Sequence, residues 1–254
     1  DHFPLDEVER LFNTFAKQVK RGIIGCLGNP SNEELFHGLE PRLLGDGARF
    51  RHAGRPVSLA MLGAHNARNA VQALAMAERL GVPAAEATSA LASFKGIERR
   101  IEVIGRAHDI VVVDDYAHNP AKIRAGWETM AGCCRRVLGV WRPHGFGPLA
   151  LMADELEEEL AAVMRKDDAL FLLPVYYAGG TARRVITSED FAERLKSRGL
   201  RVKTLQETDE VECEILACAE PDDAVLVMGA RDPNLPVFAR RLADSIAQAG
   251  VKKT

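Results

Sequence analysis

The chain has 254 residues, enough for two domains at the usual roughly 100–200 residues each. It is 47% hydrophobic and 27% charged, the balance of a globular protein, and a formal net charge of -3 gives no field that would draw a nucleic acid. No apolar run approaches the roughly 20 residues of a membrane span, no signal-peptide pattern opens the chain, and its five cysteines form no C-x-x-C pair, so reduced thiols in a cytoplasmic setting are expected.

The chain starts at Asp1 without a Met and runs at once into a helical pattern, so it reads as part of a longer protein. Val8, Leu11, Phe12, Phe15 and Val19 recur at helical spacing and predict a helix over about 5–20. Gly22 to Leu27 reads as a short buried strand, and Ser31 with Glu34 as a capping box opening the next helix. Glycines 45, 47 and 54 between short alternating segments predict small antiparallel strands over 41–62. Helices follow at about 66–80 and, behind Pro83, at 84–94.

Beyond Gly96 the pattern becomes strand–helix alternation. Apolar strands are expected at 110–113, 136–140, 169–173, 202–205 and 224–228, with helices led by Pro120 and at about 149–165, 188–198, 208–218 and 236–249. Near-continuous apolar strands alternating with helices predict a mostly parallel, Rossmann-like α/β sheet covered on both faces. Ligands of such sheets bind at the carboxyl ends of the strands, so the stretches 114–119, 142–147, 176–181 and 229–234 matter most.

Four constellations stand out. In Gly63-Ala64-His65-Asn66-Ala67-Arg68-Asn69, two asparagines share one face of a first helical turn. Either they present amide edges that match adenine, or Asn66 caps the helix and Asn69 is solvated. Around Lys95 to Glu102, a guanidinium can reach a phosphate, or the stretch is a charged turn between domains. In Asp114-Asp115-Tyr116-Ala117-His118-Asn119-Pro120, a carboxylate stands where ribose hydroxyls are held, beside a His that titrates near neutrality. The bland reading there is a helix cap and a surface His. Finally, Gly145-x-Gly147-x-x-Ala150 superficially fits a dinucleotide fingerprint, but the acids Asp167 and Asp168 precede the next strand instead of following it. The sequence holds no Walker A stretch, no G-x-S-x-G, no H-E-x-x-H and no zinc-like ligand spacing.

In series these segments resemble the Mur ligase family over nearly the whole chain. Residues 63–69 resemble its GxHNxxN stretch, 94–100 its FxGxxRR hinge, and 114–120 its DDYAHHP, with Asn119 for the second His. Arg142-Pro143-His144 resembles its QPH turn, 175–180 its xIYxAGE, 228–232 its MGAGD, and Asp1-His2 the end of its TNxxxDH. The resemblance is nearest the alanine-adding and tripeptide-recycling branches. It implies that residues 1–96 are the C-terminal part of a central ATP-binding domain and 97–254 a complete C-terminal domain, with a hinge near Gly96.

The resemblance also implies chemistry. ATP with Mg²⁺ would phosphorylate the carboxylate of a UDP-N-acetylmuramyl substrate, and an amino acid or peptide amine would then displace phosphate to form an amide. His2 would be a metal ligand, Asn66 and Asn69 would face adenine, Arg100 the phosphates, and Asp115 the ribose. Tyr116, His118 and His144 would line the pocket for the amine, with His118 and Arg100 catalytic. Gly145 and Pro148 replace arginines that hold the amino acid carboxylate in the alanine-adding branch, leaving Arg142, Arg183 and Arg231 as candidates. Without a P-loop the chain itself is expected to be silent, monomeric, and free of nucleic-acid or membrane partners. The alternatives are a NAD-type oxidoreductase domain and a non-catalytic nucleotide-binding module.

Overall fold

The computed structural model describes residues 5–19, 36–37, 39–177, 179 and 184–249. The expected strand at 22–27, the cap at Ser31, and the residues Asp1, His2 and Arg183 lie outside the described residues. The chain forms two compact units that divide between Lys95 and Gly96.

In the first unit, helix α1 (Leu5–Gln18) is followed by strands β1 (Arg42–Leu44), β2 (Gly47–His52) and β3 (Arg55–Leu59), an antiparallel meander in the order β1-β2-β3. Helices α2 (Ala64–Arg79) and α3 (Ala84–Ser93) complete it. Strand alternation turns Ala48, Phe50, Val57 and Leu59 to one face, where they meet Ala67, Ala70, Val71 and Leu74 from the helical period of α2. Gly47 is required at this sheet: its φ is +148°, and a Cβ there would fall 2.0 Å from the Leu59 carbonyl oxygen.

The second unit holds a six-stranded sheet in the order β4-β5-β9-β6-β7-β8. Its strands are β4 (Glu102–Ala107), β5 (Ile110–Asp115), β6 (Arg136–Trp141), β7 (Ala169–Leu172), β8 (Val202–Thr204) and β9 (Asp223–Met228). All pairs are parallel except β4 with β5. The helices are α4 (Pro120–Ala131), α5 (Phe146–Val163), α6 (Ser188–Ser197), α7 (Thr208–Cys218) and α8 (Asn234–Ala249). The chain winds outward from β5 through β8 and then returns to lay β9 between β5 and β6. With right-handed crossovers that reversal puts α7 on the opposite face from α4, α5 and α6.

On the first face Ile110, Val112, Leu138, Val140, Val225 and Val227 pack against Val211 and Ile215 of α7 and Leu235, Phe238 and Leu242 of α8. The alternate residues turn to the second face. There Gly139 admits the Trp127 ring of α4 so closely that a Cβ would lie 2.3 Å from it. The expected α/β architecture with a mostly parallel sheet is therefore observed.

Two local readings are corrected. Strand β4, an antiparallel edge absent from the sequence reading, pairs with β5 across a register shift between Val103 and Gly105. Its half-exposed, bulged residues show no clean alternation to read. Helix α5 begins at Phe146, three residues earlier than expected, because Pro148 is tolerated in a first helical turn.

Candidate functional site

In the first unit, α2 opens on Gly63, whose φ of 94° makes the sharp entry and which supplies no side-chain cap. Asn66 is therefore not the N-cap. It is buried in the first turn, and its Nδ2 donates to the Leu62 carbonyl at 2.8 Å. Its Oδ1 accepts from Asn69 Nδ2 at 3.4 Å. Asn69 is exposed, and this bond holds its amide in place on the first turn.

In the second unit the expected residues gather at the carboxyl ends of β5, β6 and β9. The segment 99–101 carries two residues in left-handed conformations, Arg99 (φ 57°) and Ile101 (φ 49°), a strain the surroundings must hold. Ile101 N donates to Asp115 Oδ2 at 2.8 Å, and Tyr116 N donates to the Arg99 carbonyl at 2.8 Å. The Arg99 guanidinium donates to Asp114 Oδ2 (3.2 Å), to the Ala230 carbonyl (3.1 Å) and to the Gly229 carbonyl (2.5 Å), and it lies 5.0 Å from the Tyr116 ring. Arg99 is thus the clamp between β5 and the 229–230 loop. Its neighbour Arg100 is exposed and meets no carboxylate among the described residues. Gly229 is needed where the clamp closes, since a Cβ there would meet Leu235 at 2.5 Å and the Arg142 carbonyl at 3.0 Å.

Asp114 is buried, and burial pushes its carboxyl up to about 6 despite the attraction of Arg99. Asp115 is also buried, and its carbonyl accepts from Gly229 N at 3.3 Å. Past the strand, Tyr116, His118 and His144 form an edge-to-face series, with ring centroids 5.4 Å apart for Tyr116–His118 and 5.2 Å for His118–His144. His118 Nδ1 lies 2.8 Å from the Tyr116 carbonyl and must donate to it, which leaves Nε2 of the neutral ring as an acceptor.

His144 is carried on backbone that continues beyond β6: Tyr176 N donates to the Pro143 carbonyl at 2.7 Å and Gly145 N to the Tyr176 carbonyl at 2.9 Å. Burial, the nearby His118 and the positive charge of Arg231 all hold His144 below the ordinary imidazole range, so its neutral form is favoured.

The candidate cations separate. Arg142 Nη1 is engaged by Asp232 Oδ2 at 2.5 Å, and Asp232 also accepts from Asn234 N at 2.8 Å. Arg231 is exposed and meets no carboxylate among the described residues. Arg184, to which no sequence motif points, stacks 5.4 Å from the centre of the Phe146 ring, and Phe146 meets Tyr177 at 5.6 Å. Arg99 and Asp232 were also missed. The available signal for Asp232 was an acid between a strand and a helix start; for Arg99 there was none, since adjacent arginines give no clue to which one turns inward.

Three buried polar side-chain atoms have no partner among the described residues: Asp114 Oδ1, Trp141 Nε1 and Arg142 Nε. All three stand at the carboxyl ends of β5 and β6. The region thus combines a clamped strained segment, paired imidazoles, an exposed guanidinium and unspent buried polar atoms, a set that can orient an anion and accept a proton. The dinucleotide reading has no acid to hold a ribose, because β7 ends in Leu172 and Leu173 while Asp168 lies at its other end. Among the described residues no group of three or more His, Cys, Asp or Glu could hold a metal ion, and no helix is long and apolar enough to cross a membrane.

Residues 99–231 match the family model described as "Mur ligase, glutamate ligase domain". A UDP-N-acetylmuramate--L-alanine ligase of Rhizobium johnstonii is 36% identical, over 91% of this chain and 55% of the relative. The chain spans about half the length of the curated relatives it matches. Among solved structures, the UDP-N-acetylmuramate-alanine ligase MurC of Thermotoga maritima superposes with a TM-score of 0.62 at 22% identity, covering 81% of this chain and 44% of that one. The MurF ligase of the same organism, solved in complex with ADP, gives 0.55 at 16% identity over 82% and 44%. These structures share the fold.

Proposed function

This chain belongs to the Mur ligase family, and from that premise we propose that it is part of an ATP-dependent ligase of peptidoglycan-precursor synthesis or recycling. The complete enzyme joins an amino acid or peptide amine to the carboxylate of a UDP-N-acetylmuramyl substrate through an acyl phosphate. It acts in the cytoplasm as a monomer. The observation that carries this reading is the gathering of Tyr116, His118, His144 and Arg231 at the carboxyl ends of the parallel strands, beside buried polar atoms without partners among the described residues.

The geometry supports the following roles. Asn69, exposed and bonded to Asn66, carries the donor and acceptor groups that an adenine edge requires. Asp115, at the carboxyl end of β5 and oriented by the bond from Ile101 N, holds ribose hydroxyls. Arg100, exposed and without a carboxylate neighbour among the described residues, neutralises phosphate charge. His118 Nε2 takes a proton from the attacking amine as the new C–N bond forms, since its Nδ1 hydrogen is committed to the Tyr116 carbonyl. His144, held neutral, hydrogen-bonds the same amine, and Tyr116 walls the pocket. Arg231 takes the acceptor carboxylate. Arg142 contributes indirectly, because Asp232 already neutralises it.

ATP supplies the phosphoryl group, and Mg²⁺ offsets its charge when bound. His2, the implied ligand, lies outside the described residues, and the described residues offer no cluster for the ion, so no step here depends on it. The 254 residues contain no Gly-x-x-x-x-Gly-Lys-Ser/Thr stretch, and by themselves they are expected not to release phosphate from ATP. Measurable turnover by this chain would overturn that expectation. The nucleotide assignment is tested in the complete enzyme: Asp115→Ala should raise the KM for ATP at least about tenfold, or ~1.4 kcal/mol, while the muramyl substrate's KM changes little. Equal effects on both would make Asp115 a structural residue only.

A further inference from the structure

At the amino end of the same sheet, the turn from α4 into β6 carries Cys133 and Cys134 side by side. Both are half-buried, and their sulfurs are 3.8 Å apart. Cys133 Sγ also approaches the Thr129 and Met130 carbonyls at 3.4 and 3.5 Å, so its side chain is held in place. The turn is pinned by Arg165, whose Nη1 donates to the carbonyls of Ala131 (3.1 Å) and Cys134 (3.0 Å).

The electrostatics make Cys133 the more acidic of the two thiols. A hydrogen bond from Cys134 outweighs burial and, with the positive charges of Arg106 and Arg165, lowers the Cys133 thiol to about 7. By contrast, its contact with Cys133 and burial raise Cys134.

A direct disulfide fits this pair poorly. No cis peptide occurs among the described residues, and adjacent Cα atoms across a trans peptide are about 3.8 Å apart, below the roughly 4.4 Å lower limit of ordinary disulfides. Forming it would also pull the sulfurs to roughly 2.0 Å inside a pinned turn. A single soft atom bonded to both sulfurs imposes no such closure.

We propose that Cys133 and Cys134 form a chelating dithiol site for a soft, trivalent metalloid, the chemical class represented by an organoarsenic(III) oxide. Two S–H groups react with one As=O group. Two As–S bonds form, the As=O and both S–H bonds are lost, and the oxygen leaves as water with both protons. Arsenic stays trivalent, so no oxidant or reductant is consumed. This site lies at the opposite end of the strands from the ligase residues and does not depend on their assignment.

The test uses phenylarsine oxide with the full 254-residue protein, read by intact mass after challenge with excess monothiol and then with a small dithiol. One arsenic per chain should resist the monothiol and leave with the dithiol. It should survive at least about tenfold longer than in C133S or C134S, because the second thiol acts at high effective concentration. The C26S/C213S/C218S variant should keep the resistant adduct. Should either Ser variant fail to fold, tryptic mapping of the wild-type adduct decides, with the arsenic expected on residues 125–135. Loss of the wild-type adduct to monothiol alone, or an adduct that maps to another cysteine, would overturn the proposal.

Discussion

At the amino ends of the strands, Asp168 accepts from Trp127 Nε1 (2.9 Å), Val137 N (2.8 Å) and Arg165 N (2.9 Å), while Asp223 accepts from Arg135, Arg136 and Glu220 N. At the carboxyl ends, 0%-exposed Asp114 has one oxygen without a partner among the described residues, and the same holds for Trp141 Nε1 and Arg142 Nε. Both edges bury charge, but only one saturates it. A buried polar atom without a partner costs about 1–3 kcal/mol, so three at one edge mark where stability has yielded to another demand. The amino edge holds the sheet together, and the carboxyl edge is where the proposed ligand site lies.

The largest expected effect breaks the saturated edge. Asp168→Ala removes the acceptor for an indole, two backbone amides and a guanidinium, and should cost about 3–5 kcal/mol in denaturant unfolding. A loss below about 1 kcal/mol would deny the amino edge its structural role. Burial opposes the charge on Asp168, but hydrogen bonds from Arg165, Trp127 and Val137 outweigh it and hold the carboxyl below its usual range. Its contribution is therefore present above the unfolded value and lost as pH falls through the folded one.

Asp114 has the opposite sign. Its folded value of about 6 exceeds the unfolded 3.8, so its favourable contribution is complete below 3.8 and disappears as pH rises through about 6. The swing is roughly 3 kcal/mol. Asp114→Asn should flatten the stability profile between pH 4 and 6, measured by thermal unfolding across pH. An unchanged profile would place the titration elsewhere. The smallest effect on stability belongs to Arg231→Ala. As an exposed residue its loss should change unfolding by less than about 0.5 kcal/mol, yet raise the KM of the acceptor amine at least about tenfold in the complete enzyme.

Much of this was legible in the residues, for identifiable reasons. The four inner strands β5, β6, β7 and β9 and the helix led by Pro120 follow from burial on both faces and from local capping: Asn119 Oδ1 accepts from Lys122 N at 3.0 Å. Strand β4 escaped because its half-buried residues and the register shift between Val103 and Gly105 break the alternation. The site was legible as strand-end positions, since topology alone directs ligands there. Which arginine turns inward was not, because Arg99 and Arg100 differ only in the positive φ of Arg99 and its contacts with Asp114 and the 229–230 carbonyls. Nor could spacing show that Asp232 would neutralise Arg142 from 90 residues away.

The claim that the carboxyl edge carries the chemistry meets its most direct test at His118. In the complete enzyme, His118→Ala should lower kcat/KM for amide formation by about 10²–10⁴, with unfolding stability within about 1 kcal/mol of the parent. Activity within threefold of the parent, or a loss that merely tracks lost stability, would contradict it.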